Sequence, residues 1–317
     1  MSTVLVTGAS GFVGSHVVPA LLDAGHRVAV LVRSEAAGRR ILDRLPAASR
    51  DAVELRRGDV TQPATLGPAL AGIDAVVHLV AVPRDWDNGA TLRLVNTEGT
   101  RNVVAAMSAA GVRRLVHLGA LGVADDPALH YAQSKAKAEA IVEASALEWT
   151  ILKPSLMYGP RDGFFNILAS LVRMSPLVVP MPGSGAARFQ PLAVTDLGRM
   201  VVASLTDPSD GTIHRSLPVG GPRFWTYREI LEEVLRGMGS RRAIVPMPLP
   251  LIRAVAATAE RFRLPFPVAT DQLRQLKLDN TGPLTSVHDA FGFEPLDMGG
   301  RLTHLRRKVR DQEPGPH

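Results

Sequence analysis

Thr3-Val-Leu-Val-Thr-Gly8-Ala-Ser-Gly11-Phe-Val-Gly14 is an apolar run that stops at a threonine and continues as three glycines spaced by two residues. It reads as strand, phosphate turn and helix start in one stretch. Gly8 supplies the positive φ of a tight strand-to-helix turn. Gly11 has no Cβ to hold a pyrophosphate off the backbone, and Gly14 lets the new helix pack close to the strand. The helix N-terminus then presents unpaired N–H groups and a partial positive charge. In a chain with 28 glycines the triplet would mean little alone. Its weight comes from context: a strand before it, a helix after it and a second strand on schedule.

That schedule continues along the chain. Ser15–Ala24 reads as a helix ending at Gly25, with Pro19 inside it and a kink expected there. The apolar run His26–Arg33 is a strand buried on both faces. An Arg-rich helix follows over Glu35–Leu45, then a strand over Val53–Leu55 leading to Gly58-Asp-Val60, and a short helix over Pro63–Ala71. Ala75–Val82 is a strand, Ala90–Ala110 a long helix ending at Gly111, and Arg114–Leu118 a strand. Tyr131–Ala146 is a helix and Trp149–Lys153 a strand that stops at Pro154. Such alternation specifies an α/β fold, a Rossmann-like doubly wound parallel sheet with its ligand at the carboxyl ends of the strands. Residues 1–155 are expected to form this NAD(P)-binding domain. Residues 156–317 form a smaller C-terminal α/β substrate region, interleaved with the sheet and not independent of it. In that region Phe164–Met174 reads as a helix, Thr226-Tyr-Arg-Glu229 as a capping box opening another, and Pro246–Pro267 as one apolar helix between proline-rich loops.

Composition narrows the class. Of the 317 residues 46% are hydrophobic and 21% charged, and there is no cysteine, so disulfides and thiolate chemistry are excluded. The net charge of +6 is scattered and only 5% of residues are aromatic, which speaks against nucleic acid. No apolar run approaches the roughly eighteen residues of a membrane span, and the first strand starts at Thr3, so the expected compartment is the cytoplasm. The basic tail after Gly300 reads as a frayed, solvated final helix, with membrane-surface association as the alternative.

Several side chains then carry the chemistry. Arg33 closes the second strand, where a carboxylate would favour NAD and an arginine accepts a 2′-phosphate, so NADP(H) is favoured over NAD(H). Arg39 and Arg40 are close enough in sequence to join that anionic pocket. The plain alternative is a solvent-facing arginine. Asp59 and Val60 fall where a carboxylate holds the adenine amino group and an apolar side chain covers the ring, unless Asp59 is only a turn residue. Tyr131-Ala-Gln-Ser-Lys135 places a tyrosine and a lysine about one turn apart on one helix face. The lysine charge would lower the tyrosine pKa toward the working range of an acid/base catalyst. His78 and His117 lie inside apolar strands and read as core residues. Asp125-Asp126 has no histidines at ligand spacing, so no metal is expected.

Thr7-Gly-Ala-Ser-Gly-Phe-Val-Gly14, Asp59, Asn96-Thr-Glu-Gly99 and Tyr131-x-x-x-Lys135 together resemble the extended and atypical short-chain dehydrogenase/reductases. Leu152-Lys-Pro-Ser-Leu-Met-Tyr-Gly159 and Arg188-Phe with Val194-Thr-Asp196 extend the match over about residues 1–200, and Phe291-Gly-Phe-Glu-Pro295 looks like a family ending. The set is most similar to the NAD-dependent epimerase/dehydratase-like group that includes the nucleotide-binding 39 kDa accessory subunit of respiratory complex I. By that resemblance Tyr131 is the proton donor or acceptor, and Lys135 binds the nicotinamide ribose. Gly8, Ser10, Gly11, Phe12, Val13 and Gly14 would hold the pyrophosphate, with Arg33, Asp59 and Val60 at the adenosine. Leu79, Ala81 and Pro154 would line the rest of the cofactor, Asn96 would support the site, and Ser155 and Arg188 would face substrate.

One departure stands out. The resemblance calls for a Ser or Thr at the end of the fifth strand, and this chain has Leu118-Gly119-Ala120-Leu121 there. Losing one positioned donor at a developing oxyanion costs about 10²–10³ in rate, unless Tyr131 suffices or Ser155 supplies a hydroxyl. The first expectation is therefore an NADP(H)-dependent oxidoreductase, epimerase or dehydratase acting on a carbonyl, alcohol or nucleotide-sugar-like substrate. The alternative is a non-catalytic NADP(H)-binding or redox-sensing accessory protein. A homodimer or an accessory protein is the partner the resemblance implies.

Overall fold

In the computed structural model, residues 1–84, 87–175, 177–206, 211–248, 250 and 279–306 are described. Strand β1 (Thr3–Thr7) leads through the glycine turn to α1 (Gly14–Asp23), and β2 (Arg27–Val32) to α2 (Glu35–Asp43) and α3 (Ala47–Arg50). Next come β3 (Val53–Arg57), α4 (Leu66–Ala69), β4 (Ala75–His78), α5 (Ala90–Leu92), α6 (Gly99–Ala110), β5 (Arg114–Leu118), α7 (His130–Glu143) and β6 (Glu148–Pro154). The chain leaves the sheet for β7 (Met157–Tyr158), α8 (Phe164–Met174), β8 (Val178–Pro182), β9 (Arg188–Phe189) and β10 (Leu192–Ala193). It returns with α9 (Val194–Thr206) and β11 (Arg215–Val219), then leaves again for β12 (Trp225–Thr226), α10 (Tyr227–Met238) and β13 (Ala243–Met247).

Two compact units result. The first comprises Met1–Pro154, Val194–Val219 and Ser286–Phe293. Its seven-stranded sheet has the order β11-β6-β5-β4-β1-β2-β3, and every pairing is parallel. This is the doubly wound Rossmann-like sheet expected from the alternation. The order reverses where β1 lies between β2 and β4, the point at which sheets of this kind take their ligand, outside the carboxyl ends of the strands. One face is packed by Leu5, Val76, Leu115 and Ile151 from the strands with Val103, Met107 and Val142 from α6 and α7. The seventh strand and α9 come from beyond the point where the alternation fades, and Gly198 lets α9 approach α1 until a Cβ there would stand 3.3 Å from the Ala20 Cβ.

The second unit comprises Ser155–Ala193, Gly220–Thr285 and Glu294–His317. Small strand pairs, β8 with β13, β9 with β12 and β7 with β10, surround a core of Phe165, Leu168, Val172, Trp225, Ile230 and Val234. The capping box forms as read: Thr226 Oγ1 accepts from Glu229 N at 3.2 Å and Glu229 Oε2 accepts from Thr226 N at 2.6 Å. The apolar helix expected over Pro246–Pro267 falls largely outside the described residues, as does the tail from residue 307.

Two elements differ from their expected form for one reason. Strand β4 ends at His78 and not at Val82, because the Asn96 side-chain amide takes both backbone groups of Val82, at 2.8 Å and 3.2 Å. The long helix expected from Ala90 is interrupted by a π-helical turn, Arg93–Glu98, and this wider turn carries Asn96. By contrast α1 runs on through Pro19 to Asp23, so the proline costs one backbone hydrogen bond without ending the helix.

Arg114 fastens β5 to its neighbours. Its buried guanidinium donates to the Ser204 carbonyl of α9, to the Glu148 carbonyl at 2.6 Å and to Thr150 Oγ1 at 2.8 Å. Arg114→Met strands these acceptors in the interior, so it should lower unfolding stability by roughly 3–5 kcal/mol; urea denaturation of the two proteins measures the difference.

Candidate cofactor and catalytic site

The glycine turn has the geometry of an anion cradle. Gly8 has φ +75°, and a Cβ on it would stand 2.9 Å from the Leu79 carbonyl carbon. A Cβ on Gly14 would lie 2.4 Å from the Gly8 oxygen. Gly11 differs: nothing but the Gly8 oxygen, at 3.3 Å, would meet its Cβ, so that side of the turn is open. No side chain caps α1, and the N–H groups of Phe12 and Val13 meet no acceptor among the described residues. An open backbone face with free donors at a helix N-terminus fits a pyrophosphate.

The flanking residues are placed as follows. Arg33, at the end of β2, is exposed and takes no partner among the described residues, nor does Arg40, while Arg39 pairs with Glu35 at 3.5 Å on the surface. Arg44, which the sequence reading passed over, reaches the Ser10 carbonyl at 3.3 Å and so stands beside the turn. Asp59 Oδ1 accepts from Thr61 N at 2.9 Å and Thr61 Oγ1 at 2.8 Å, so the aspartate does build a turn. Val60 is buried, and its side chain occupies the space a Cβ on Gly99 would need. Leu79 lies against Gly8, Ala81 is exposed beyond β4, and the Pro154 carbonyl accepts from Leu121 N at 3.0 Å.

Asn96 gathers the polar contacts behind the site. Its Nδ2 donates to Ser134 Oγ at 3.0 Å, and Ser134 Oγ donates to the Tyr131 carbonyl at 2.8 Å. Tyr131 and Lys135 rise from α7 one turn apart. The Lys135 ammonium, buried, donates to the Leu118 carbonyl at the end of β5. Desolvation lowers its pKa to about 8, against the opposing pull of the Glu139 carboxylate. The phenol of Tyr131 has no hydrogen-bond partner among the described residues. The expected lowering of the tyrosine pKa is not found: desolvation first, and Glu139 second, push it up to about 12. A neutral phenol here is an acid, not a base.

The end of β5 explains the missing hydroxyl. A Cβ on Gly119 would lie 2.5 Å from Glu139 Oε1 and 2.9 Å from Ile151 Cγ2, so the glycine has no room for a serine or threonine side chain. The proposed substitute is also engaged. Ser155 Oγ donates to Asn280, at 2.6 Å to Oδ1 and 2.9 Å to the carbonyl, and accepts from Gln190 N at 3.1 Å. Arg188 is held by Asp279, whose Oδ2 accepts from its Nε at 2.9 Å and its Nη2 at 2.6 Å.

Beneath the site the two strand histidines stack, rings 5.4 Å apart. Thr100 Oγ1 gives its proton to the Asn96 carbonyl, so His78 Nε2 donates to Thr100 and His78 Nδ1 accepts from Thr7. Both nitrogens of His117 are buried without a partner among the described residues. Burial and the Lys135 charge hold His78 at a pKa of about 3 and His117 well below its ordinary value. Among the described residues no cluster of His, Asp and Glu could hold a metal, and no helix is long and apolar enough to cross a membrane.

These histidines set a pH dependence. An unfolded chain takes up protons below about pH 6.5 that the folded chain refuses, so stability falls as pH drops from there toward 3. Thermal midpoints measured across that window should fall steadily. His117→Leu should flatten the decline and leave the midpoint at pH 7 unchanged or higher, because no hydrogen bond is lost.

Comparison with known proteins agrees with this geometry. The family model described as NAD(P)H-binding matches residues 8–168. The chain is 26% identical over 300 residues to the mitochondrial NADH dehydrogenase [ubiquinone] 1 alpha subcomplex subunit 9 of Arabidopsis thaliana, covering 92% of this chain and 73% of that protein. It is 29% identical over 258 residues to the ceramide reductase of Caulobacter vibrioides, covering 81% and 77%. The crystal structure of the Bordetella bronchiseptica enzyme WbmG in complex with NAD superposes with a TM-score of 0.72 at 21% identity, covering 96% and 92%, and shares the fold. With the glycine cradle and the sheet that carries it, these matches make the chain a member of the NAD(P)H-binding family, of the short-chain dehydrogenase/reductase type.

Proposed function

We propose that the protein is an NADPH-dependent reductase of a carbonyl substrate, with Tyr131 as the proton donor. The observation that carries this reading is the Tyr131 phenol, unpartnered and held protonated, one turn from a buried ammonium. A phenol that stays protonated carries the proton that reduction of a carbonyl consumes, which favours that direction. The bound cofactor would supply hydride to the carbonyl carbon while Tyr131 delivers a proton to the oxygen. Lys135 would hold the nicotinamide ribose, and the open face at Gly11 with the Phe12 and Val13 amides would hold the pyrophosphate. The uncommitted Arg33 and Arg40 support NADP(H) over NAD(H), since both can turn to a 2′-phosphate without breaking an ion pair. Named relatives include a reductase, and Ser155 and Arg188 would be free to meet a substrate only after releasing Asn280 and Asp279.

The filled space at Gly119 favours a second reading, in which bound NADP(H) serves structure or partner binding, as befits a relative of a respiratory accessory subunit. Homodimer formation or an accessory partner belongs to that reading.

Two measurements decide. Fluorescence titration should show tight NADPH binding, and Arg33→Glu should weaken it by about 10–100-fold while NADH affinity changes by less than about 3-fold. Equal losses for both cofactors would remove the 2′-phosphate role. In NADPH oxidation assays across aliphatic and cyclic ketones, Tyr131→Phe should lower kcat by about 10²–10⁴ with NADPH affinity retained. Turnover that survives the substitution would reassign the proton donor, and no turnover by the wild-type protein on any ketone would favour the accessory reading.

A further inference from the structure

Glu139 lies one turn beyond Lys135 and two beyond Tyr131, so α7 carries Tyr131, Lys135 and Glu139 along one stripe. It is a buried carboxylate, 5% exposed, with both oxygens engaged. Oε1 accepts from the Ala120 N–H at 3.0 Å, and Oε2 pairs with the Lys153 ammonium of β6 at 2.8 Å. The same Oε1 stands where a side chain at position 119 would begin. Lys135 takes the Leu118 carbonyl and Glu139 the Ala120 N–H, so two oppositely charged side chains of one helix grip opposite polar groups of the same three residues.

We propose that Glu139 is a positioning residue of the site: its carboxylate takes the place of a side chain at 119, fixes the end of β5, and serves as the counter-charge for Lys135. The Lys135 part rests on the reading of that lysine as a cofactor ligand. The groups facing Lys135 are Tyr131 and Glu139 on its own helix, His117 on β5, His78 on β4 and, through Glu139, Lys153 on β6. Glu139 is the one anion among them. Without its charge the buried ammonium faces two neutral imidazoles, a phenol and a second ammonium, and it gives up its proton at lower pH. Gly119 follows from the same carboxylate, since two groups cannot share one space.

Glu139→Gln keeps the shape and the acceptor for Ala120 but removes the charge. NADPH affinity of the wild-type protein should decline on the alkaline side around pH 8, where Lys135 loses its proton. In Glu139→Gln that midpoint should move down by about one pH unit. Coincident midpoints would overturn the counter-charge role. The steric half is read without cofactor, from thermal midpoints of Gly119→Ala, Glu139→Ala and the double variant. Gly119→Ala should lower the midpoint by roughly 3–8 °C in the wild-type background and by less than half as much when Glu139 is alanine. Equal losses would assign the constraint to Ile151 and overturn the exclusion. Absence of NADPH binding by the wild-type protein at every pH would remove the cofactor reading and the Lys135 half together, while the stability cycle still decides the Gly119 half.

Discussion

The grip of α7 on the last residues of β5 is the constraint on which the site depends. Past Leu118 the strand stops having neighbours on both sides, and its backbone groups need other partners. Gly119 N still donates to Leu152 O at 2.8 Å and Leu121 N to Pro154 O at 3.0 Å, so β6 serves one side. The other side is served by Lys135 at Leu118 O and Glu139 at Ala120 N. A lysine and a glutamate one turn apart thus serve as both lid and lattice for the strand end. The same helix presents Tyr131, so the register between its phenol and the strand end is set by two charged contacts and not by a loop.

A similar economy governs the glycine turn. Its three glycines do different work: Gly8 and Gly14 are excluded from carrying a side chain by backbone atoms within 3 Å, whereas at Gly11 only the Gly8 oxygen, at 3.3 Å, would meet a Cβ. Gly8 and Gly14 bring strand, turn and helix together, and Gly11 leaves the approach for a ligand. The first two would be required by the fold even without a cofactor. The openness at Gly11, joined to amides that meet no acceptor among the described residues, is what speaks of binding.

How much of this was legible in the sequence depends on the range of the forces involved. Arg114–Leu118, Phe164–Met174 and the capping box at Thr226 are read at their actual bounds, because apolar periodicity and a side-chain cap act within a few residues. The π turn at Arg93–Glu98 is invisible locally, since it answers to Val82, fourteen positions from Asn96. The return of α9 and β11 to the sheet is longer range still. The direction of the Tyr131 shift failed for a different reason: spacing shows that a lysine is near, but not that both groups are desolvated. Yet a signal for Glu139 was present, since Tyr131-x-x-x-Lys135 extends by the same interval to Glu139. Arg44 gave no comparable signal, its role at Ser10 arising only from the fold.

The ionisation states beneath the site follow from this arrangement. Thr7, His78 and His117 lie on the α7-facing side of adjacent parallel strands, in register from β1 to β4 to β5. Lys135 and Lys153 are cations and Glu139 an anion, so the layer already carries one excess positive charge before either histidine is considered. Adding a proton to His78 or His117 would place another cation beside Lys135 in a region with no free anion to receive it, and both imidazoles are held neutral. His78 is kept in one tautomer by Thr7 and Thr100, and so can be buried at little cost, whereas His117 has no hydrogen-bond partner among the described residues. The excess positive charge therefore stays on Lys135 and Lys153, which share the Glu139 carboxylate, in contact with Lys153 at 2.8 Å and acting on Lys135 along α7. The Glu139 carboxylate thus offsets part of the charge of both lysines at the end of β5, and the phenol of Tyr131 stays neutral beside them.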